Sequence, residues 1–272
     1  MTCLVKSICG AAVLVAAMMV PRAAAAGTIE PPALVALKSG ALQYWAAGEF
    51  TRDGKPADAP HVTVQMSAPV SIMRHEVSVG EYNRCVADKA CVPLADGQTN
   101  PDLPAVMVSF NDTTAYAAWL SKRTGVHYRL PTDAEWTYAA GHRAPNEAPL
   151  GKADAVARWV AQYTRESQAA PVDTRPQPVG HFGANENGLV DIAGNVWEWT
   201  DSCYTRTVLD AAGQPVGRGT VNCGVRIAEG RHRAYDVDFI RDARAGGCAA
   251  GVPPSNLGFR LVRDDKSVWS LF

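Results

Sequence analysis

The segment that most constrains this chain is residues 188–200, GLVDIAGNVWEWT. Trp197 and Trp199 lie two positions apart, so an extended backbone points both rings to one face, where they anchor a core. Asp191 and Glu198 supply hard oxygens that suit calcium when an irregular backbone aims its carbonyls at the same point. The alternative is structural, because such carboxylates also cap backbone amides or pair with arginine. Both interpretations stay open at this stage.

The composition predicts one globular domain with many loops. The chain has 272 residues, a formal net charge of −1 and 47% hydrophobic residues, which suffices for one buried core. Its 23 glycines and 18 prolines favour a loop-rich compact fold over disorder. A net charge near zero gives no electrostatic reason for nucleic-acid binding, so we expect no nucleic-acid partner.

The first 26 residues have the pattern of a secretory signal peptide. Lys6 gives the positive start, residues 8–20 form an apolar run, and residues 23–26 form an A-x-A cleavage pattern. Because the apolar run is too short to span a bilayer comfortably, we expect cleavage rather than an uncleaved anchor. The mature protein would then have no membrane span and would be periplasmic or secreted.

Five of the seven cysteines follow this leader, and an exported protein meets an oxidising compartment. Cys85 and Cys91 close a short loop, for which a local disulfide is the first choice and two buried thiols the alternative. A zinc site is not expected, because no second Cys or His pair has finger-like spacing. An odd number of cysteines leaves one thiol unpaired, or paired with a partner.

Local patterns predict a mixture of helices and strands. Residues 33–46 favour a short helix, and residues 61–66 alternate like a strand. A capping-box pattern begins a helix at Ser78 and another at Thr132.

Three motifs resemble the formylglycine-generating enzyme family, also called the sulfatase-modifying factor family. They are RLPTDAEWTYAA, GLVDIAGNVWEWT and SNLGFR, in the family's order. The resemblance covers residues 69–263 and implies an α+β fold with little regular secondary structure, distantly like C-type lectins. It divides the chain into a signal peptide at residues 1–26, an N-terminal arm with a first strand at 27–68, and the family domain at 69–272.

The resemblance also implies a structural calcium site. At the family's matching positions stand the side chains of Asp191 and Glu198 and the backbone carbonyls of Gly194 and Val196. Calcium is therefore the cofactor that we expect.

Active family members bind copper(I) through a pair of cysteines that follows an Arg-Gly-Gly-Ser core, which suits the softness of thiolate ligands. Residues 229–232, EGRH, stand at the place of that core, and no cysteine occurs between Cys223 and Cys248. Copper is therefore not expected. Iron is not expected either, because the branch that uses it holds it with histidines from an additional helical domain. We do not expect this chain to generate formylglycine.

The loop between Cys203 and Cys223 is often bridged in relatives, which predicts the second disulfide and leaves Cys248 unpaired. A bridge of this length contributes roughly 3 kcal/mol by loop entropy.

Residues 226–244 carry a dense cluster of arginines and acids. One interpretation is a pocket for an anionic group or a peptide, with arginines as bidentate donors. The alternative is a network of salt bridges that holds a loop-rich core. Candidate catalytic residues are His232, Cys248, Arg231 and Tyr235. His232 and Cys248 would bind a metal or form a thiolate pair if the fold brought them together, against the alternative of a free buried thiol.

The leading hypothesis is an exported accessory or maturation protein that binds a partner protein or peptide, with nitrite reduction as the first context. It follows a resemblance to accessory proteins encoded beside copper nitrite reductases. A second hypothesis is a metal-dependent oxidoreductase of protein or peptide, of the formylglycine-generating or siderophore-maturation type. The third is a lectin-like binding module without catalysis.

Overall fold

The computed structural model describes residues 29–66, 69–95, 97–145, 157, 160–161, 164, 175–242 and 256–264. Twelve strands lie within these residues: β1 Leu34–Leu37, β2 Gly40–Trp45, β3 Glu49–Arg52, β4 Lys55–Ala57, β5 His61–Met66, β6 Val70–Met73, β7 Tyr128–Arg129, β8 Trp197–Val208, β9 Thr220–Glu229, β10 Ala234–Val237, β11 Leu257–Gly258 and β12 Val262–Arg263. The helices with described bounds are α1 Val79–Ala87, α2 Phe110–Thr124, α3 Asp133–Ala140 and a 3₁₀ turn at Gly141–Arg143, and residues 157, 160–161 and 164 are helical as well.

The strands form three sheets, mostly from segments that lie far apart in sequence. One sheet has the order β1-β6-β12-β7, a second has the order β10-β9-β8-β3-β4 with β11 parallel to β8, and β2 and β5 form a separate pair. The long strand β8 begins at the paired tryptophans, so the central motif is also the centre of the largest sheet. The mixture of helices and strands confirms the α+β class.

The helix expected at residues 33–46 is wrong, since this segment forms β1 and β2 instead. β1 pairs antiparallel with β6, and β2 pairs antiparallel with β5. Distant pairing outweighs the local helix preference here, as tertiary context commonly does. In β2 the half-buried Leu42 and Tyr44 alternate with the exposed Ala41 and Gln43, which is the period of a strand.

The predicted helix starts are confirmed. Ser78 accepts the backbone N–H of Glu81, whose carboxylate accepts the Ser78 N–H in return. Thr132 and Glu135 make the same reciprocal pair at the start of α3. Each box satisfies two donors that a helix start leaves without an intrahelical partner.

Two buried clusters hold the elements together. The larger joins α1 and α2 to the central strands, and Tyr116 and Phe259 meet there edge to face with ring centroids 5.4 Å apart. The smaller packs Trp136 of α3 against Leu189, Ile192 and Val262. Trp199 is fully buried, and its indole N–H donates to the Val108 carbonyl at 2.8 Å. The tryptophans of the central motif are therefore core residues.

Both predicted disulfides are present. Cys85 bonds Cys91, and Cys203 bonds Cys223 across β8 and β9. Such bonds form and persist in oxidising compartments, which indicates an extracellular type of environment. No helix in the described parts of the chain is long and apolar enough to cross a membrane.

Candidate functional site

The two acids of the central motif lie in a buried cluster around Arg260. Arg260 has no exposed surface, and its Nε and Nη2 donate to the two carboxylate oxygens of Glu198 at 2.6 and 2.8 Å. The Trp136 indole N–H donates to the same carboxylate at 2.9 Å. Arg260 also donates to the carbonyls of Met73 and Arg74. A bidentate charged pair is among the stronger hydrogen-bonded contacts, so it ties the C-terminal strands to β8 and β6.

Asp191 shapes the loop that leads into the central motif. Its backbone has a φ of 62°, in the left-handed region. Its carboxylate accepts the backbone N–H groups of Gly180 and Phe182, the latter at 2.7 Å. These contacts give Asp191 the amide-capping role that was the structural alternative.

The calcium prediction fits this geometry only in part. One Glu198 oxygen accepts both the Trp136 N–H and an Arg260 N–H, which fills its two lone pairs, and the guanidinium already supplies the balancing positive charge. The other Glu198 oxygen accepts only the Arg260 Nη2–H and keeps a lone pair, as the Asp191 carboxylate does beside its two hydrogen bonds. A calcium site made of Asp191, Glu198 and the Gly194 and Val196 carbonyls therefore stays a prediction. Among the described residues, no three His, Cys, Asp or Glu side chains converge as a metal site.

Glu76 is a third acid of the same cluster, and the sequence did not mark it. Its side chain is fully buried, and neither carboxylate oxygen accepts a hydrogen bond. Its nearest charge is Arg260, whose Nη2 lies 3.4 Å away. Burial raises the pKa of Glu76 to about 8, and the charges of Glu198 and Asp191 add to this, whereas Arg260 opposes it. One arginine faces three acids, so Glu76 holds a proton at neutral pH.

The arginines of residues 226–244 mainly form salt bridges, as the structural alternative proposed. Arg233 donates to Glu229 at 2.7 Å, and both side chains are buried. Two further pairs connect the β9–β10 hairpin to other elements, Arg226 with Asp201 at 3.3 Å and Arg241 with Asp112 at 2.7 Å. Arg244 lies outside the described residues.

The four candidate catalytic residues do not form one described site. His232 packs edge-on against Trp197 with centroids 5.2 Å apart, and Arg231 is exposed on the same turn. The Tyr235 hydroxyl accepts the Gly48 backbone N–H at 2.9 Å. Cys248 lies outside the described residues, so its pairing with His232 stays a prediction.

Asp236 differs from the other acids of the hairpin, because both its oxygens are buried without a hydrogen bond. Burial raises its pKa to about 7. It stands opposite Arg226 in the β9–β10 register, and the Nε of Arg226 is also buried without a partner. The hairpin therefore carries a carboxyl that is half protonated near neutral pH.

An open groove of about 580 Å³ lies between β2 and the C-terminal end of α3, within the size range of ligand sites. It is lined by Ala41, Leu42, Gln43, Tyr44, Trp45, His61, Thr137, Tyr138, Gly141, His142, Ala144, Pro145, Asn187 and Arg233. No carboxylate is among these residues, whereas one arginine and two histidines are. The Thr137 hydroxyl is buried and has no hydrogen-bond partner. This groove is a candidate binding site.

Sequence reasoning missed this groove because it assigned β2 to a helix. In the sequence, the polar Gln43 between Leu42 and Tyr44 is the alternation that could have predicted a strand there.

Comparison with known proteins decides the family. Residues 21–265 match the sulfatase-modifying factor enzyme 1-like domain. The chain belongs to this family. The resemblance seen in the three motifs is thereby confirmed.

Within the sulfatase-modifying factor family, the chain is similar both to proteins named as enzymes and to proteins named inactive. It is 31% identical over 174 residues to the formylglycine-generating enzyme of Streptomyces coelicolor, covering 60% of this chain and 54% of that protein. It is 34% identical over 169 residues to the inactive C-alpha-formylglycine-generating enzyme 2 of Bos taurus, covering 57% of this chain and 54% of that protein. The chain thus spans about half the length of these curated relatives.

A solved structure supports the family fold. The structure of PvdO from Pseudomonas aeruginosa has a TM-score of 0.56 and 24% identity, and the match covers 86% of this chain and 94% of that one. At this identity the likeness concerns the fold alone.

Proposed function

We propose that this chain is an exported accessory or maturation protein that binds a segment of a partner protein and does not form formylglycine. The proposal rests on the disulfide bonding of the cysteines. Four of the five cysteines after residue 26 are bridged, as Cys85–Cys91 and Cys203–Cys223. A copper(I) site built from two thiolates of one chain therefore lacks at least one of them.

Several features of the fold support binding of a partner segment. The Arg260–Glu198 pair and the buried tryptophans hold the scaffold, and the groove beside β2 offers polar groups, aromatic rings and no carboxylate. The family includes a relative whose name calls it inactive, so this scaffold also occurs without the enzymatic activity. A lectin-like module without catalysis is the second form of the same binding hypothesis.

The two disulfides support export, since they need an oxidising compartment to persist. The periplasm, reached through cleavage of residues 1–26, is the location that we propose. A protein of nitrite reduction is the first partner to test, following the resemblance to accessory proteins of that system.

The test is capture of the partner by immobilised mature protein, residues 27–272, from the exported fraction of the source organism. The captured protein is identified by mass spectrometry, purified and bound again in isolation, with and without a calcium chelator. The proposal expects one protein to rebind with saturable affinity. Failure of any exported protein or carbohydrate to bind under either condition would count against it.

A further inference from the structure

The groove follows the edge of a strand. Residues 41–45 of β2 all line it. Successive side chains of a strand point to opposite faces, so a groove that touches five consecutive residues faces the strand's edge rather than one face. The backbone of β2, and not only its side chains, therefore borders the groove.

The hydrogen-bond register shows which backbone groups point into the groove. Ala46 donates its N–H to the Pro60 carbonyl at 2.9 Å, in the same register as the β2–β5 pairs. In an antiparallel pair, residues that bond the neighbouring strand alternate with residues that point away from it. The even-numbered residues of β2 thus bond β5, and Ala41, Gln43 and Trp45 point outward.

The contact at Trp45 agrees with this assignment, since its carbonyl accepts Nη1 of Arg233 at 3.1 Å. Ala41 and Gln43 are exposed, and no hydrogen bond joins their backbone N–H or C=O groups to another described residue. A row of unpaired groups of this kind is a template for another strand.

Two tyrosine hydroxyl groups fix the position of β2. The Tyr44 hydroxyl donates to Asp133 at 3.2 Å, and the Tyr138 hydroxyl donates to the Lys38 carbonyl at 3.2 Å. A Cβ at Gly40 would lie 2.3 Å from the Tyr138 hydroxyl, so a side chain there would displace the Tyr138 ring from its bond to Lys38. A strand fixed in this way has less entropy to lose when it binds a ligand.

We propose that an extended segment of the partner adds to β2 as a third strand and pairs with Ala41 and Gln43. This inference rests on the proposed function and specifies its binding mode. Main-chain hydrogen bonds supply affinity in such strand addition, and alternate side chains supply specificity. One set of partner side chains would face the rings of Trp45 and His61, and the other would face Thr137.

The residues that line the groove limit the chemistry of the segment that can bind there. They include Arg233, His61 and His142 and no carboxylate. Glu229 already pairs with Arg233 at 2.7 Å and Glu186 with His142 at 2.9 Å, so the lining carries little net charge and the segment that fits it is neutral.

A proline substitution tests the edge without disturbing the β2–β5 ladder. Gln43→Pro removes an outward N–H, and proline is tolerated at such edge positions. Gln43→Ala removes the side chain and keeps the N–H. Thr63→Pro is the matched control, because Thr63 is the cross-strand partner of Gln43 and its own N–H points away from β2 on the opposite edge. Each variant is checked for folding by thermal unfolding.

The probe is a phage-displayed random peptide library selected on the mature protein. We expect neutral extended peptides that bind the wild type, Gln43→Ala and Thr63→Pro alike. They should bind Gln43→Pro at least about tenfold more weakly, because one main-chain hydrogen bond is lost and the proline ring blocks the edge. Amide hydrogen exchange of the wild-type complex should slow at Ala41 and Gln43, a result that needs no variant.

Two outcomes would overturn the inference. One is equal binding to Gln43→Pro and the wild type, and the other is unchanged exchange at both amides. If the captured partner still binds Gln43→Pro, strand addition is wrong and the proposed function stands. If neither a partner nor a peptide binds the wild type, both the strand-addition inference and the proposed function are wrong.

Discussion

Replacing Glu76 by glutamine should remove part of the pH dependence of stability. The folded pKa of about 8 lies above the ordinary value of 4.5. Between these pH values the folded state holds one more proton at this site than the unfolded state. The free energy of unfolding therefore falls as the pH rises through this window, by about 1.4 kcal/mol per pH unit.

The magnitude follows from this slope. From pH 5.5 to pH 7.5, Glu76 lowers the free energy of unfolding by about 3 kcal/mol, and Glu76→Gln should lose this contribution. Asp236 acts in the same direction up to its folded pKa of about 7, so a slope remains in the variant. Burial opposes ionisation of Glu135, but the hydrogen bonds from Arg129 and Thr132 together with the Arg129 charge lower its pKa. The effect of Glu135 has the opposite sign and falls below about pH 4.5, outside the window.

The assay is urea unfolding of wild type and variant at several pH values between 5.5 and 7.5. Glu198→Gln is the comparison, because it breaks the buried pair with Arg260 and should cost about 3–5 kcal/mol at pH 5.5. Since the Glu198 charge raises the pKa of Glu76, this variant should also show a weaker pH dependence than the wild type. Parallel stability curves for wild type and Glu76→Gln would show that Glu76 is ionised in the folded protein, and would refute the reasoning.

Three further predictions concern the disulfide, calcium and a helix cap. Replacing both Cys203 and Cys223 by serine should lower the free energy of unfolding by about 3 kcal/mol for a separation of 20 residues, and an unchanged urea midpoint would contradict this. If Asp191 and nearby carbonyls bind calcium, a chelator should lower the melting temperature of the wild type but not of Asp191→Ala, whereas an equal effect on both would exclude this ligand. Ser78→Ala should cost about 1 kcal/mol in thermal unfolding, and no loss would show that the cap is dispensable.

Local chemistry made part of the fold predictable. Ser78 and Thr132 mark helix starts because a capping box involves only four consecutive residues. The Cys85–Cys91 loop is equally local, and the tryptophans at 197 and 199 indicate a core because they lie two positions apart.

The remainder depends on contacts between distant segments. Residues 33–46 form two strands because β6 and β5 pair with them, and no local pattern of β2 specifies those partners. Glu76 could not be singled out either, since its pKa depends on Arg260, which is 184 positions away in the sequence. The carboxylates at 191 and 198 stand out in the sequence. The arginine and the backbone amides that donate hydrogen bonds to them come from other segments of the chain.

The central claim is that this scaffold binds a partner and does not perform the family's two-cysteine chemistry. Incubation of mature, copper-supplied protein with a sulfatase-type Cys-x-Pro-x-Arg peptide, followed by mass spectrometry of the peptide, tests it most directly. We predict that the peptide cysteine stays unconverted, even after an incubation long enough for an active enzyme to turn over many times. Accumulation of the aldehyde product beyond one equivalent of protein would contradict it.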